Sequence, residues 1–230
     1  MDYFQKFKTA LFANRHHFTN EDLQAPYRLA INFCIRKLNE NDLFFAREGL
    51  TFYQEGMSEG ILLENNLIPR FSFNNMVAMA LQLEEYNWVE NFITHSSKQL
   101  DPKFQEQTVS FNFARLEFAR KDYNKALVHL QTAENEDLVN VLISKMLLIK
   151  IYFELDAIES LQSSLDSFEQ FIRRREVSDY HRTNFLKVIS YARKLINLPE
   201  FAKAERSALI GKIKVEAVLS ERNWLLEKLV

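Results

Sequence analysis

The sequence predicts an all-α fold, and three observations predict it. Glycine and proline number only four each in 230 residues, well below average usage. Apolar residues recur at i, i+3, i+4 and i+7 along most of the chain. No segment reads as a convincing strand. Sandwiches, barrels and dinucleotide folds need glycine for positive-φ turns and for close approach to phosphate, and helices joined by short polar turns do not. With 47% hydrophobic and 26% charged residues, the composition is that of an ordinary globular chain.

The elements follow in order. A first helix is expected over 3–14 and a second over 20–39, which holds the lone cysteine within Phe33-Cys34-Ile35. One cysteine makes no internal disulfide and no thiolate metal cluster, and Cys34 reads as a small buried hydrophobe rather than a reactive thiol. Asn41-Asp42 breaks the chain before a helix over 42–55, and Gly56 and Gly60 mark an insertion or extra turn in 56–70. Phe73, Met76, Val77, Ala80 and Leu81 share one face of a helix over 71–83, followed by another over 86–99. Asp101 caps a helix over 102–120 with Pro102 in its first turn, where a missing N–H costs nothing. Helices over 123–133 and 137–155 flank the break Glu134-Asn135-Glu136-Asp137, and a further one spans 157–174. Phe185, Val188, Ile189, Ala192, Leu195 and Ile196 form the apolar stripe of 179–197. Asn197-Leu198-Pro199 precedes a helix over 200–219, and a short one over 221–229 carries Trp224-Leu225-Leu226, expected to fold back on the last hairpin.

A repeat underlies this order. The run Phe113 to Ala133 holds an acidic-aromatic pair, Asp122-Tyr123, then Ala126 three residues on, and Leu130 and Ala133 at helical spacing. Ala114 is small on the preceding helix. The stretch closely resembles the tetratricopeptide repeat (TPR) family, in which two helices cross at small residues beyond such a turn. Weaker copies follow from the same alignment: Glu85-Tyr86 with Val89 and Ile93, and Ile158 with Leu161, Leu165 and Phe168. The turn anchors Tyr86, Tyr123 and Ile158 are 37 and 35 residues apart, near the family's period of about 34. A degenerate hairpin runs through Phe33-Cys34, Asn41-Asp42-Leu43, Ala46, Leu50 and Tyr53. Three departures stand out: Lys121 occupies a turn position that usually prefers Gly, and Val89 and Leu161 replace the small crossing residue, which should widen the crossing.

The resemblance implies a right-handed α-α superhelix, a TPR-like solenoid, forming one domain over 1–230. Residues 1–26 would be its N-terminal cap, 27–69 the degenerate hairpin with insertion, 70–174 the TPR-like repeats and 175–230 a C-terminal helical cap. Single hairpins cannot cover their own apolar faces, so stacking is what buries them. In the family, the first helices of successive hairpins line a concave groove. Carried over by position, the groove residues are Asn74, Ala78, Leu81, Phe111, Arg115, Phe118, Met146, Lys150 and Phe153. Aromatic residues and Arg dominate binding hot spots; Phe111 and Phe118 could equally pack against neighbouring hairpins. The lysine and asparagine array of the carboxylate-clamping TPR subset is present only in scattered matches such as Asn74 and Lys150.

Charge divides along the chain although the total is only −2. From Glu134 to Glu169 eight acids face two lysines, and from Arg173 to Lys214 eleven bases face four acids. Arg173, Arg174, Arg175 and Arg182 form a candidate basic patch for an acidic partner; cations at a helix C-terminus also complement its dipole. Nucleic acid ranks second, since no binding motif accompanies the charge and aromatics are not interleaved with it.

No catalytic constellation assembles from these residues. There is no phosphate-cradling glycine loop and no nucleophile elbow. His16, His17, His95, His129 and His181 show no ligand spacing, and adjacent His16-His17 diverge on a helix. The carboxylate pairs Glu84-Glu85 and Glu136-Asp137 sit at expected turns, where acids favour helix N-termini. The expectation is a non-enzymatic scaffold or adaptor for a protein or peptide partner, without metal or cofactor. The alternative is a structural subunit of a homo- or hetero-oligomer. The start Met1-Asp2-Tyr3-Phe4-Gln5-Lys6 lacks a signal-peptide core, and no apolar run nears the roughly 18 residues of a membrane span, so the cytoplasm is the default compartment.

Overall fold

Residues 2–40, 42–132, 138–199 and 201–230 are described by a computed structural model of the protein. Asn41, the break at Glu134-Asn135-Glu136-Asp137 with its Glu136-Asp137 carboxylates, and Ala133 lie outside the described residues. Among those described there are twelve α-helices and no strand, with one isolated bridge between Glu64 and Leu67. The chain divides into two compact units, residues 1–138 and 139–230, a boundary that falls inside the stretch assigned to repeats.

The first unit contains α1 Asp2–Asn14, α2 Asn20–Asn39, α3 Phe44–Ser58, α4 Arg70–Gln82, α5 Tyr86–Ser96, α6 Pro102–Ala119 and α7 Tyr123–Thr132, with 3₁₀ turns Arg15–His17 and Ser97–Gln99. Thr19 opens α2 by a capping box: its Oγ1 accepts from Asp22 N–H at 3.2 Å, and Thr19 N–H donates to Asp22 Oδ2 at 3.2 Å. Pro26 sits inside α2. Lys8 pairs with Glu48 at 2.7 Å and Arg15 with Glu55 at 2.8 Å. Both pairs are offset by 40 residues, so α1 runs alongside α3 in the same direction. Under it Phe4, Phe12, Tyr27, Phe33, Phe45 and Phe52 form a continuous aromatic cluster with neighbouring centroids 5.2–6.2 Å apart. Cys34 is fully buried beside it, and burial pushes its thiol pKa up to about 12.

The expected insertion is a structured turn. Asn65 and Asn66 both have positive φ, 52° and 63°, while Glu64 and Leu67 exchange two N–H···O bonds of 2.9 Å. Ile61, Leu62 and Ile68 are buried by it. Gly56 permits this return, because a Cβ there would meet Leu62 Cδ1 at 2.5 Å.

One turn design recurs after α4, α6 and α8. Glu84, Lys121 and Asp156 have φ of 58°, 65° and 53°, each two residues before its anchor. The next residue's N–H reaches back five positions: Glu85 to Ala80 O (3.0 Å), Asp122 to Glu117 O (2.9 Å) and Ala157 to Tyr152 O (3.0 Å). The left-handed residue itself donates three positions back in all three turns. Together these bonds are the Schellman motif, which satisfies carbonyls a helix end leaves orphaned. Before α3, Asp42 N–H likewise donates to Lys37 O at 3.1 Å.

Three residues beyond each anchor stands a fully buried side chain: Ala46, Val89, Ala126 and Leu161. Its size tracks the packing. Among the described residues, α6 and α7, crossing at Ala126, share the most extensive contact of any helix pair, and α2 and α3 at Ala46 come next. Helices α4 and α5 at Val89 approach less closely. A branched side chain between two helices holds their axes apart.

The second unit comprises α8 Leu138–Glu154, from Val139 onward, α9 Ile158–Arg174, α10 Asp179–Ile196, α11 Lys203–Val215 and α12 Arg222–Glu227. Leu161, Leu165, Phe168 and Ile172 make the buried stripe of α9, and Phe168 meets Phe185 of α10 edge-on at 5.4 Å. Burying such side chains is worth about 1.5–3 kcal/mol each. After α11 the chain turns at Glu216, whose carboxylate accepts from Lys187 Nζ at 2.6 Å and Tyr191 OH at 3.0 Å. Ser220 N–H then donates to Asn184 Oδ1 at 2.8 Å, and α12 buries Trp224 and Leu225.

Candidate partner-binding face

Counting back from the turn anchors, the nine groove residues occupy three repeat positions. Twelve residues before the anchor stand Asn74, Phe111 and Met146; eight before it, Ala78, Arg115 and Lys150; five before it, Leu81, Phe118 and Phe153. Phe111 and Met146 are buried, 1% and 2% exposed, so neither offers a surface to a partner. Asn74, Ala78, Leu81, Arg115, Phe118, Lys150 and Phe153 are half-buried.

In the first unit, α4 and α6 join through a polar network that sequence reasoning saw only in part. The buried Asn112 amide donates to Asn74 Oδ1 at 2.7 Å and to Thr108 O at 2.8 Å. Arg115 Nη1 donates to Asn74 O at 3.0 Å and Asn112 Oδ1 at 3.2 Å, and its guanidinium lies 5.5 Å from the Phe111 ring. Asn112 was missed because a lone asparagine mid-helix carries no sequence signal of its partner. Among the described residues, both hydrogen bonds of Arg115 use Nη1 and it has no carboxylate partner. Burial without a compensating acid pushes its pKa down to about 10. The side chain therefore stays cationic at neutral pH, held in place but not neutralised. Phe118 continues the face one turn further, its ring 5.5 Å from that of Tyr123.

In the second unit, the matching positions of α8 are covered by α12. Lys150 Nζ binds Glu221 at 3.0 Å, and the Phe153 ring meets Trp224 edge-on at 5.4 Å. Trp224 Nε1 donates to Glu154 at 3.4 Å, and Lys228 pairs with the same carboxylate at 2.6 Å.

The basic patch is tied down in part, with Arg173, Arg174 and Arg175 exposed. Arg173 pairs with Glu169 at 2.7 Å, and Arg193 bridges Glu169 and Asp166 at 2.5 and 2.6 Å. Arg182 donates to Arg175 O and Val177 O at 3.4 Å, Arg175 lies over Phe171 at 5.8 Å, and Arg174 is exposed. An open depression of about 480 Å³ between α9 and α10 is lined by Glu169, Arg173 and Arg193 together with Leu186, Ile189, Ser190 and Lys194. The His16 and His17 rings, expected to diverge on an α-helix, instead lie with centroids 3.9 Å apart because Arg15–His17 is a 3₁₀ turn; His129 stacks on Phe113 at 5.3 Å, and His95 Nδ1 contacts Asn91 O at 2.8 Å. No group of three metal-capable side chains converges among the described residues. No described helix is long and apolar enough to cross a membrane.

Comparison with known proteins finds no matching family model, no matching curated protein and no matching solved structure.

Proposed function

We propose that the chain is a TPR-like adaptor, a right-handed superhelix of helical hairpins working in the cytoplasm, which binds a protein or peptide partner on the α4–α6 face. The recurring Schellman turns and crossing residues support the repeat reading. One observation carries the functional part: Arg115 is a desolvated guanidinium anchored through Nη1 and lacking a carboxylate among the described residues. Desolvating a charge costs energy that only a partner or a network returns. Anchored arginines beside aromatic rings are frequent centres of binding energy.

The test is a panel of immobilised peptides probed with the full chain. Peptides that bind should lose at least tenfold in affinity on Arg115→Glu, with far-ultraviolet circular dichroism unchanged. Binding indifferent to Arg115→Glu and to Leu81→Asp would remove the α4–α6 face from the mechanism. Light scattering across ionic strengths separates this reading from self-assembly, for which the mass should rise as salt is lowered.

A further inference from the structure

The second unit contains a worked example of what a repeat face of this chain accepts. Lys150 and Phe153 stand three residues apart on α8, hence on one face. They receive Glu221 and Trp224, also three residues apart and within one turn, since Leu225 N–H donates to Glu221 O at 2.9 Å. Acid meets cation and aromatic meets aromatic, and the order of the contacts makes α12 run in the same direction as α8. By repeat position, Arg115 and Phe118 on α6 are the counterparts of Lys150 and Phe153: a cation eight residues before the anchor, a phenylalanine five before it. The resemblance stops at the next position. Where α8 has Glu154, which holds Lys228 and the indole N–H, α6 has Ala119.

We infer that the Arg115–Phe118 face binds a helical segment of a partner protein that presents a carboxylate followed three residues later by a large aromatic, running parallel to α6. This rests on the α4–α6 reading above and adds the partner's chemistry to it. The acid supplies the counter-charge to Arg115, and the aromatic covers Phe118 as Trp224 covers Phe153. Ala119 supplies no carboxylate, so a base four residues beyond the aromatic, the place of Lys228, contributes nothing here.

The probe is a fluorescent peptide of residues 216–230 added to the full chain and followed by anisotropy. Wild-type chain should bind it, and Arg115→Glu should weaken binding at least tenfold. A peptide with Glu221→Lys should bind the Arg115→Glu chain more tightly than the unaltered peptide does, a rescue that misfolding would not give. Trp224→Ala in the peptide should weaken binding similarly, and Lys228→Ala should leave it within twofold. Binding lost with Lys150→Glu but kept with Arg115→Glu would mean exchange with the chain's own tail, and the inference falls. It falls as well if the peptide does not bind. If other peptides still depend on Arg115, the α4–α6 face survives and only the stated chemistry is lost; if none does, both go.

Discussion

Lys121 holds a backbone conformation that costs most side chains about 1 kcal/mol or more, a φ of 65° two residues after the end of α6. It is tolerated because Lys121 N–H and Asp122 N–H cap Phe118 O and Glu117 O at 3.0 and 2.9 Å. Lys121→Gly should therefore stabilise the chain by about 0.5–1 kcal/mol, the relieved strain exceeding the added freedom of the unfolded chain. Urea midpoints compare it with Lys121→Ala, which should stay near wild type. Arg115 makes the opposite point. Its two hydrogen bonds are offset by the desolvation of a lone cation, so Arg115→Met should change stability by less than about 1 kcal/mol while removing partner binding. A loss above about 3 kcal/mol in the same urea titration would make it a structural residue instead.

At the scale of the helix pair, one side chain sets the spacing. Ala126→Leu should force α6 and α7 apart and cost about 1–3 kcal/mol. The reverse change, Leu161→Ala, would bring α9 nearer the family pattern, yet Leu161 is fully buried. It should leave a cavity and cost about 2–5 kcal/mol, measured by the same urea titration; stabilisation would show that α8 and α9 can close. These pairs were largely legible in the sequence because they depend on local pattern. The 71–83, 102–120 and 157–174 expectations fall within about two residues of α4, α6 and α9. Where the expectation ran over 200–219, α11 stops at Val215 because Glu216 is drawn to Lys187 and Tyr191, 29 and 25 residues away. The Thr19–Asp22 capping box could have been read, since Thr-x-x-acid before an apolar run is its signature. The return of the Trp224-Leu225-Leu226 helix was legible as an apolar tail, but its pairing of Glu221 with Lys150 was not, because the two are 71 residues apart and neither shows its partner locally.

For the molecule as a whole, part of the charged sequence is drawn into ion pairs within the second unit, among them Asp166 and Glu169 with Arg193 and Glu216 with Lys187. Arg173 and then Arg193 hold the Glu169 carboxyl below its ordinary value, and Lys187 with Tyr191 does the same to Glu216. A carboxyl with a lowered folded pKa contributes stability above its unfolded value, and that contribution is lost as pH falls through the folded one. The thermal midpoint should thus hold near neutrality and decline below pH ~4.5, the unfolded carboxylate range. Glu169→Gln should lower the plateau and flatten that decline. An unchanged acid limb would mean that solvent already screens these pairs. The basic run was legible as charge, and Arg173 with Glu169 as an i,i+4 pair; the Asp166–Arg193 pair was not, because it forms only through the packing of α9 on α10.

Cys34 has a practical corollary. A thiol titrating near 12 and sealed from solvent gives almost no thiolate at neutral pH, so a maleimide should leave the native chain unmodified. Whatever slow labelling does occur would clock the rate at which the aromatic cluster around α2 breathes open, and a reporter cysteine engineered anywhere else could be read against a silent background.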